Sequence, residues 1–140
     1  MSAIKIEKTY PVPKETLWAY LTSDELLSSW CMPSYGFALE PGETFVFQMP
    51  SSAFWDGKFH NKMLDFEELV FLKYQCIAKR PKLDTIVAWT LMQEGEQTKL
   101  VLEHSGFGGK WLIKIMLAAG WKKMMNEHLY KKISEKRDLL

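Results

Sequence analysis

The stretch that decides the fold is GWKKMMNEHLYKKIS, residues 120–134, near the end of a 140-residue chain. Its bulky apolar side chains recur every four residues, at Trp121, Met125, Leu129 and Ile133, while lysines and glutamates occupy the other sides. Apolar spacing of this kind predicts an amphipathic helix with one face to bury. We therefore expect the preceding chain to supply a sheet that covers this face.

The segment just before this helix has a different character. Residues 110–119 are apolar almost all round, apart from Lys110 and Lys114, and Gly120 predicts a kink or break between the two parts. The apolar run is much shorter than the roughly 20 residues that cross a bilayer, so no transmembrane segment is predicted. We interpret residues 110–119 as a flap or interface element. Whether it is a ligand gate or a dimer contact is not decided by the sequence.

Upstream of residue 106 the pattern is mostly that of strands. Two-residue alternation between turn residues predicts seven of them: Ile4–Tyr10, 36–39, Thr44–Gln48, 57–65, 69–78, 85–92 and 98–104. The breaks from residue 40 onward, including one predicted at 81–84, are too short for parallel crossovers. These strands should therefore pair as antiparallel hairpins.

Two short helices are predicted between the first two strands. Pro13 is suited to a first helical turn, and apolar spacing continues the helix through Lys14–Leu21. Thr22 and Glu25 then have the spacing of a capping box, which predicts the start of a second helix. The buried side of that helix would be Leu26, Leu27 and Trp30.

Composition narrows the functional classes. Eighteen Lys and Arg against 17 Asp and Glu give a net charge of +1, too small to attract nucleic acid over the whole surface. The start of the chain lacks the pattern of a secretory signal, and the two cysteines suit reduced thiols, so a cytoplasmic protein is predicted. Without repeats or linkers, residues 1–140 are expected to form a single domain.

No cofactor or metal is predicted. The three histidines, His60, His104 and His128, lie on separate predicted elements without the spacing of a metal site. Phosphate loops, dinucleotide fingerprints and nucleophile elbows are missing from the sequence. No catalytic residue is therefore assigned.

Several motifs, in register along the chain, carry a resemblance to a known family. They are Tyr10-Pro11-Val12-Pro13 with Leu17-Trp18, Leu21-Thr22, Trp30, Pro41-Gly42-Glu43 before Phe45, Trp55-Asp56-Gly57, Trp89-Thr90-Leu91 with Glu94-Gly95 and Thr98, Leu102-Glu103-His104-Ser105-Gly106-Phe107, and Gly120-Trp121. The chain resembles the homologues of the activator of the ninety-kilodalton heat-shock-protein ATPase, within the START-like (SRPBCC, birch-pollen-allergen-like) superfamily. The resemblance implies an α+β helix-grip fold, β-α-α-β6-α, in which a curved antiparallel sheet wraps around a long C-terminal helix.

In such a fold the sheet and the helix enclose a space, and the two-residue alternation along the strands predicts which side chains face it. The predicted ligand-binding residues are Trp30, Phe45, Phe47, Phe59, Met63, Trp89, Leu102, His104, Trp111, Trp121 and Met125. Periodicity alone does not distinguish a solid core from a hollow one, and both interpretations stay open. Asn61, Tyr74 and Lys58 are the expected polar companions of His104.

The leading functional hypothesis is a non-enzymatic protein that binds a small hydrophobic molecule, or an apolar segment of a partner, in this space. One alternative is a chaperone accessory protein of the ATPase-activator type, with a role in the stress response. A second copy of the chain is a further candidate partner. The resemblance also implies a third class, because relatives in the wider superfamily include cyclases and hydrolases with polar pairs in the cavity.

Overall fold

The computed structural model describes residues 3–53, 55–79 and 82–138, and the side chains of 136–138 are not described. The elements run in the following order: β1 Ile4–Tyr10, α1 Lys14–Leu21, α2 Asp24–Trp30, β2 Ser34–Tyr35, β3 Thr44–Gln48, β4 Lys58–Glu67, β5 Phe71–Lys79, β6 Lys82–Glu94, β7 Gln97–Ser105, α3 Trp111–Lys123, a π-helical segment Met124–Leu129, and α4 Tyr130–Asp138.

Over the described residues, the strands form one antiparallel sheet in the order β1-β7-β6-β5-β4-β3-β2. Buried and exposed side chains alternate along the strands, as expected for a sheet with one covered face. The C-terminal helix covers that face. The predicted helix-grip fold is confirmed.

The helix stripe is buried as predicted, but the helix is not regular. Trp121, Met125, Leu129 and Ile133 are all buried. In a pure α-helix each four-residue step overshoots a full turn by about 40°, so three steps would rotate Ile133 roughly 120° off the covered face. The wider π turn at Met124–Leu129 absorbs this drift and keeps the stripe in line.

The predicted break at Gly120 is wrong, because α3 runs through it to Lys123. The irregularity comes one turn later, in the π-helical segment. There the Tyr10 hydroxyl donates a buried hydrogen bond of 2.7 Å to the carbonyl of Met125. This bond joins the end of β1 to the helix.

The strand predicted at residues 36–39 is also wrong. Only Ser34–Tyr35 pairs with β3, and Gly36 turns the chain with a φ of 84°. The backbone N–H groups of Gly36 and Phe37 donate to the Asp24 carboxylate instead of to a neighbouring strand. The Asp24 carboxylate thus takes the place of a neighbouring strand as hydrogen-bond acceptor. The pattern of apolar residues does not show this exchange.

Two smaller predictions also need correction. Ser23, not Thr22, caps α2, because its hydroxyl oxygen accepts from Leu26 N–H while the Thr22 hydroxyl donates to the carbonyl of Trp18. The break predicted at 81–84 is wrong for residues 82–84, which pair with β5. Pro81 lies outside the described residues.

Candidate functional site

A cavity of about 350 Å³ lies between the concave face of the sheet and the helix. Strands β3 to β7, the chain after α2, α3 and the π-helical segment all contribute to its wall. The lining residues are Cys31, Met32, Phe47, Met49, Trp55, Phe59, Tyr74, Cys76, Val87, His104, Met116, Leu117, Gly120, Trp121, Lys123, Met124 and His128. The wall is almost wholly apolar.

A second, smaller cavity of about 200 Å³ adjoins the first and has an apolar wall. It shares Trp55, Phe59, Met116 and Leu117 with the larger one, and Ala78, Leu83 and Ile113 complete it. The space under α3 therefore extends toward the β5–β6 hairpin.

The structure separates the predicted ligand-binding residues into three groups. Phe47, Phe59, His104 and Trp121 lie in the wall of the larger cavity. Trp111 lies outside, with 62% of its surface exposed. The remaining six are buried in the packed core and do not line either cavity: Trp30, Phe45, Met63, Trp89, Leu102 and Met125.

Small side chains on the covered face create the space. Ala78 and Cys76 on β5 and Val87 on β6 point inward where larger residues would fill the gap. On the opposite side Gly120 contributes no side chain, and a Cβ added there would meet no atom within 4 Å. The predictions missed these residues, although small side chains at inward strand positions are visible in the sequence.

His104 is held by two hydrogen bonds in the cavity wall. Trp121 donates its indole N–H to His104 Nδ1 at 3.0 Å, and His104 Nε2 lies 2.7 Å from the Thr85 hydroxyl oxygen. That hydroxyl donates its own proton to the carbonyl of Cys76 at 3.0 Å. The network therefore assigns a neutral histidine with its proton on Nε2.

The predicted companions of His104 were wrong, since its partners are Thr85 and Trp121 rather than Asn61, Tyr74 or Lys58. A proton on Nδ1 would remove the acceptor of the Trp121 indole. Burial lowers the pKa of His104 to about 4, so the ring stays neutral at pH 7.

Three other titratable groups of the wall, Cys31, Cys76 and Tyr74, are also neutral at pH 7. Burial raises the pKa of the Cys76 thiol to about 12, and it raises the pKa of the Cys31 thiol further. Burial likewise raises the pKa of Tyr74 well above its ordinary value. At neutral pH the buried wall therefore offers neither a thiolate at Cys31 or Cys76 nor a readily protonated ring at His104.

The Tyr74 hydroxyl can donate one further hydrogen bond. Its hydroxyl oxygen accepts the indole N–H of Trp89 at 3.1 Å, and among the described residues its own proton has no acceptor. Nearby, both polar atoms of the Asn61 amide are buried without a partner in the described part of the chain. Asn61 lies between Phe45 and Cys76 on the covered face.

Within the described ranges no cluster of three or more His, Cys, Asp or Glu side chains is placed to hold a metal ion. A membrane-crossing helix is likewise not found in that part of the chain.

Solved structures share this fold at low sequence identity. Protein MLL2253 from Mesorhizobium loti is 24% identical with a TM-score of 0.82, covering 96% of this chain and 97% of its own. DynU16, a putative protein in the dynemicin biosynthetic locus, is 19% identical with a TM-score of 0.78, covering 96% and 48%. The Aha1 dimer from Colwellia psychrerythraea is 16% identical with a TM-score of 0.75, covering 89% and 91%.

No curated protein gives a significant match to the chain. The sequence model of one family does match, over residues 11–133, which include α1, α2, strands β2 to β7 and most of the C-terminal helix but not β1. The chain belongs to the family described as activator of Hsp90 ATPase homolog 1-like protein.

Proposed function

We propose that this protein is a non-enzymatic binding protein that holds a small, predominantly apolar molecule between sheet and helix. The observation that carries the proposal is the larger cavity. Its volume lies at the lower end of the range of about 300–1,000 Å³ typical of ligand sites, and its wall is apolar.

The chemistry of the wall supports binding rather than turnover. A general acid or base needs a pKa near the working pH, whereas burial moves the pKa of His104, Cys31, Cys76 and Tyr74 away from it. These groups stay neutral and can pack against an apolar ligand without the cost of burying a charge.

The Tyr74 hydroxyl proton, which has no acceptor among the residues that the structure describes, narrows the ligand class. A buried hydroxyl gains from an acceptor, and a raised pKa keeps its proton in place. We infer an apolar ligand that carries a hydrogen-bond acceptor such as a carbonyl or ether oxygen.

Native mass spectrometry of the freshly purified protein tests the proposal. We expect an additional mass that is lost on denaturation. Gly120→Phe introduces a bulky side chain at the cavity wall and should abolish the retained mass, whereas the control Gly120→Ala should keep it. Urea unfolding would verify that both variants fold.

Two results would overturn the proposal. One is a bare protein that also fails to bind apolar carbonyl compounds, such as long-chain methyl ketones, added during purification. The other is a retained mass that is equally abundant in folded Gly120→Phe.

A chaperone accessory function is the second candidate, and the family description favours it. The test is the ATPase rate of the ninety-kilodalton chaperone with and without this protein. Stimulation that Gly120→Phe leaves intact would assign the accessory function to a surface outside the cavity, and a constant rate would remove this candidate.

A further inference from the structure

One face of α3 leaves large apolar side chains uncovered. Trp111, Leu112, Ile115 and Met116 have exposed fractions of 62%, 60%, 59% and 71%. At about 100° per residue these four side chains fall within one arc of roughly 140° on the helix. We call them the apolar face of α3.

The opposite side of α3 is the one that packs. Ile113 and Leu117 lie against the core and line the cavities, and Trp121 is buried. The helix is thus anchored through one side, and the apolar face points away from the core. Isolated exposed apolar residues are common on protein surfaces, but four on two adjacent turns are not.

The charge around the apolar face has one sign. Lys110 precedes it, Lys122 and Lys123 follow it, and all three are exposed. No Asp or Glu occurs between Glu103 and Glu127. The net charge of the whole chain conceals this local excess.

This charge pattern disfavours a second copy of the chain as the occupant. Two antiparallel α3 helices related by a twofold axis would bring Lys110 of one close to Lys122 and Lys123 of the other, without a carboxylate from this segment to offset them. Four side chains are also few beside the roughly 20–30 residues per partner in a stable interface.

We propose that α3 is an interfacial helix that docks on an anionic lipid surface. Its tryptophan and aliphatic side chains match the boundary between headgroups and acyl chains, where amphipathic helices lie in the membrane plane. Its lysines match anionic headgroups, which attract basic side chains close to the membrane surface.

The position of Met116 connects this surface to the candidate site. Its side chain is mostly exposed on the apolar face and also lines both cavities. Docking of the apolar face would place the cavity rim at the acyl boundary. An apolar molecule could then pass between bilayer and cavity with little exposure to water.

Co-sedimentation with phospholipid vesicles tests the proposal. We expect the protein to sediment with vesicles of phosphatidylcholine and phosphatidylglycerol, and at least tenfold less with phosphatidylcholine alone. Ile115→Glu should reduce binding to anionic vesicles by at least tenfold. Met92→Glu is the matched control, because Met92 is exposed on β6 far along the sequence from α3.

A charge-matched pair tests the lysines. Lys122→Gln with Lys123→Gln should weaken binding to anionic vesicles by about tenfold or more, whereas Lys131→Gln with Lys132→Gln on α4 should change it by less than threefold. Added salt should weaken the wild type and leave the first pair less affected.

The proposal is overturned if the wild type does not sediment with anionic vesicles, or if Ile115→Glu and Met92→Glu bind equally. Sedimentation equilibrium tests the rival occupant, a second copy of the chain. If the wild type does not bind vesicles but forms a dimer that Ile115→Glu dissociates, the apolar face of α3 is a dimer interface. Vesicle binding is measured without reference to a retained ligand, so its failure is distinct from failure of the proposed function.

Discussion

Inward and outward side chains alternate along the strands over the whole covered face of the sheet, but the two ends of this face pack differently. At the filled end, Leu72, Trp89 and Leu102 lie side by side on β5, β6 and β7 and are fully enclosed. At the hollow end, Ala78, Cys76 and Val87 occupy the equivalent inward positions, and the cavities open above them.

Alternation along a strand therefore determines which side chains face the helix, whereas the size of those side chains determines whether they contact it. Large residues span the gap between the layers at the filled end. There the Trp89 ring makes edge-on contacts with Trp30, at a centroid distance of 6.0 Å, and with Trp121, which borders the cavity, at 5.4 Å. At the hollow end, small strand residues face Gly120 and leave the gap open.

The largest expected effect is the loss of a leucine side chain at the filled end, and a leucine at the hollow end is its comparison. Leu72→Ala removes a fully enclosed side chain and should cost about 4 kcal/mol of unfolding free energy. Leu83 lines the smaller cavity, so part of its side chain faces empty space, and Leu83→Ala should cost only about 2 kcal/mol. Urea unfolding of both variants measures the difference, and equal costs would mean that the two ends are packed alike.

Acid should destabilise the hollow end through His104. Its folded pKa of about 4 lies below the ordinary value of 6.5, so the folded state favours the neutral ring. The resulting stability is fully present above about pH 6.5 and is lost as the pH falls toward 4, by about 3 kcal/mol.

The measurement for this prediction compares the wild type with His104→Gln, which retains an N–H for Thr85. Carboxylates affect both proteins alike, so the difference between their unfolding free energies isolates the ring. We expect this difference to shift by about 3 kcal/mol between pH 7 and pH 4. A difference that does not vary with pH would indicate a wet cavity wall and an ordinary histidine pKa.

Gly57 controls the segment that carries Met49 and Trp55 to the cavity wall. Its φ is 78°, and an added Cβ would lie 2.1 Å from the carbonyl oxygen of Met49. Gly42 has a similar φ of 91° but open space around it, so it serves as the control. Gly57→Ala should therefore lower the unfolding free energy by about 2 kcal/mol more than Gly42→Ala. Thermal unfolding measures both losses, and equal losses would show that the backbone around Gly57 rearranges to accept a side chain.

The smallest effect concerns Gly120. Alanine is about 1 kcal/mol more favourable than glycine inside a helix, and open space surrounds this position. Gly120→Ala should therefore stabilise the protein by about 1 kcal/mol, while Gly109→Ala, outside the helix, should change little. A loss of stability in Gly120→Ala would mean that the space beside Gly120 is occupied.

Much of the fold could be predicted from local patterns. The period of the apolar residues predicted the helix stripe from Trp121 to Ile133 and the main strands, because alternation reflects which face is covered. The break at Gly120 and the strand at residues 36–39 failed because their causes are not local: the π turn serves helix alignment, and Asp24 binds backbone groups ten or more residues away.

The candidate site was less predictable. Large apolar residues drew attention to Trp30, Phe45 and Trp89, which fill the core, whereas the hollow depends on the smallness of Cys76 and Val87. His104 was predicted to present a titratable nitrogen to the cavity, and the structure places it in the cavity wall. Its partners Thr85 and Trp121 come together only through strand register and helix placement, which the sequence pattern does not show. Whether any of these residues binds a ligand stays a prediction.

The most direct test of the hollow end is a crystal structure under xenon pressure, since xenon enters dry apolar cavities. We expect density for xenon, or for a retained ligand, between Cys76, Val87 and Trp121. Side chains that fill this space and leave no such density would contradict it.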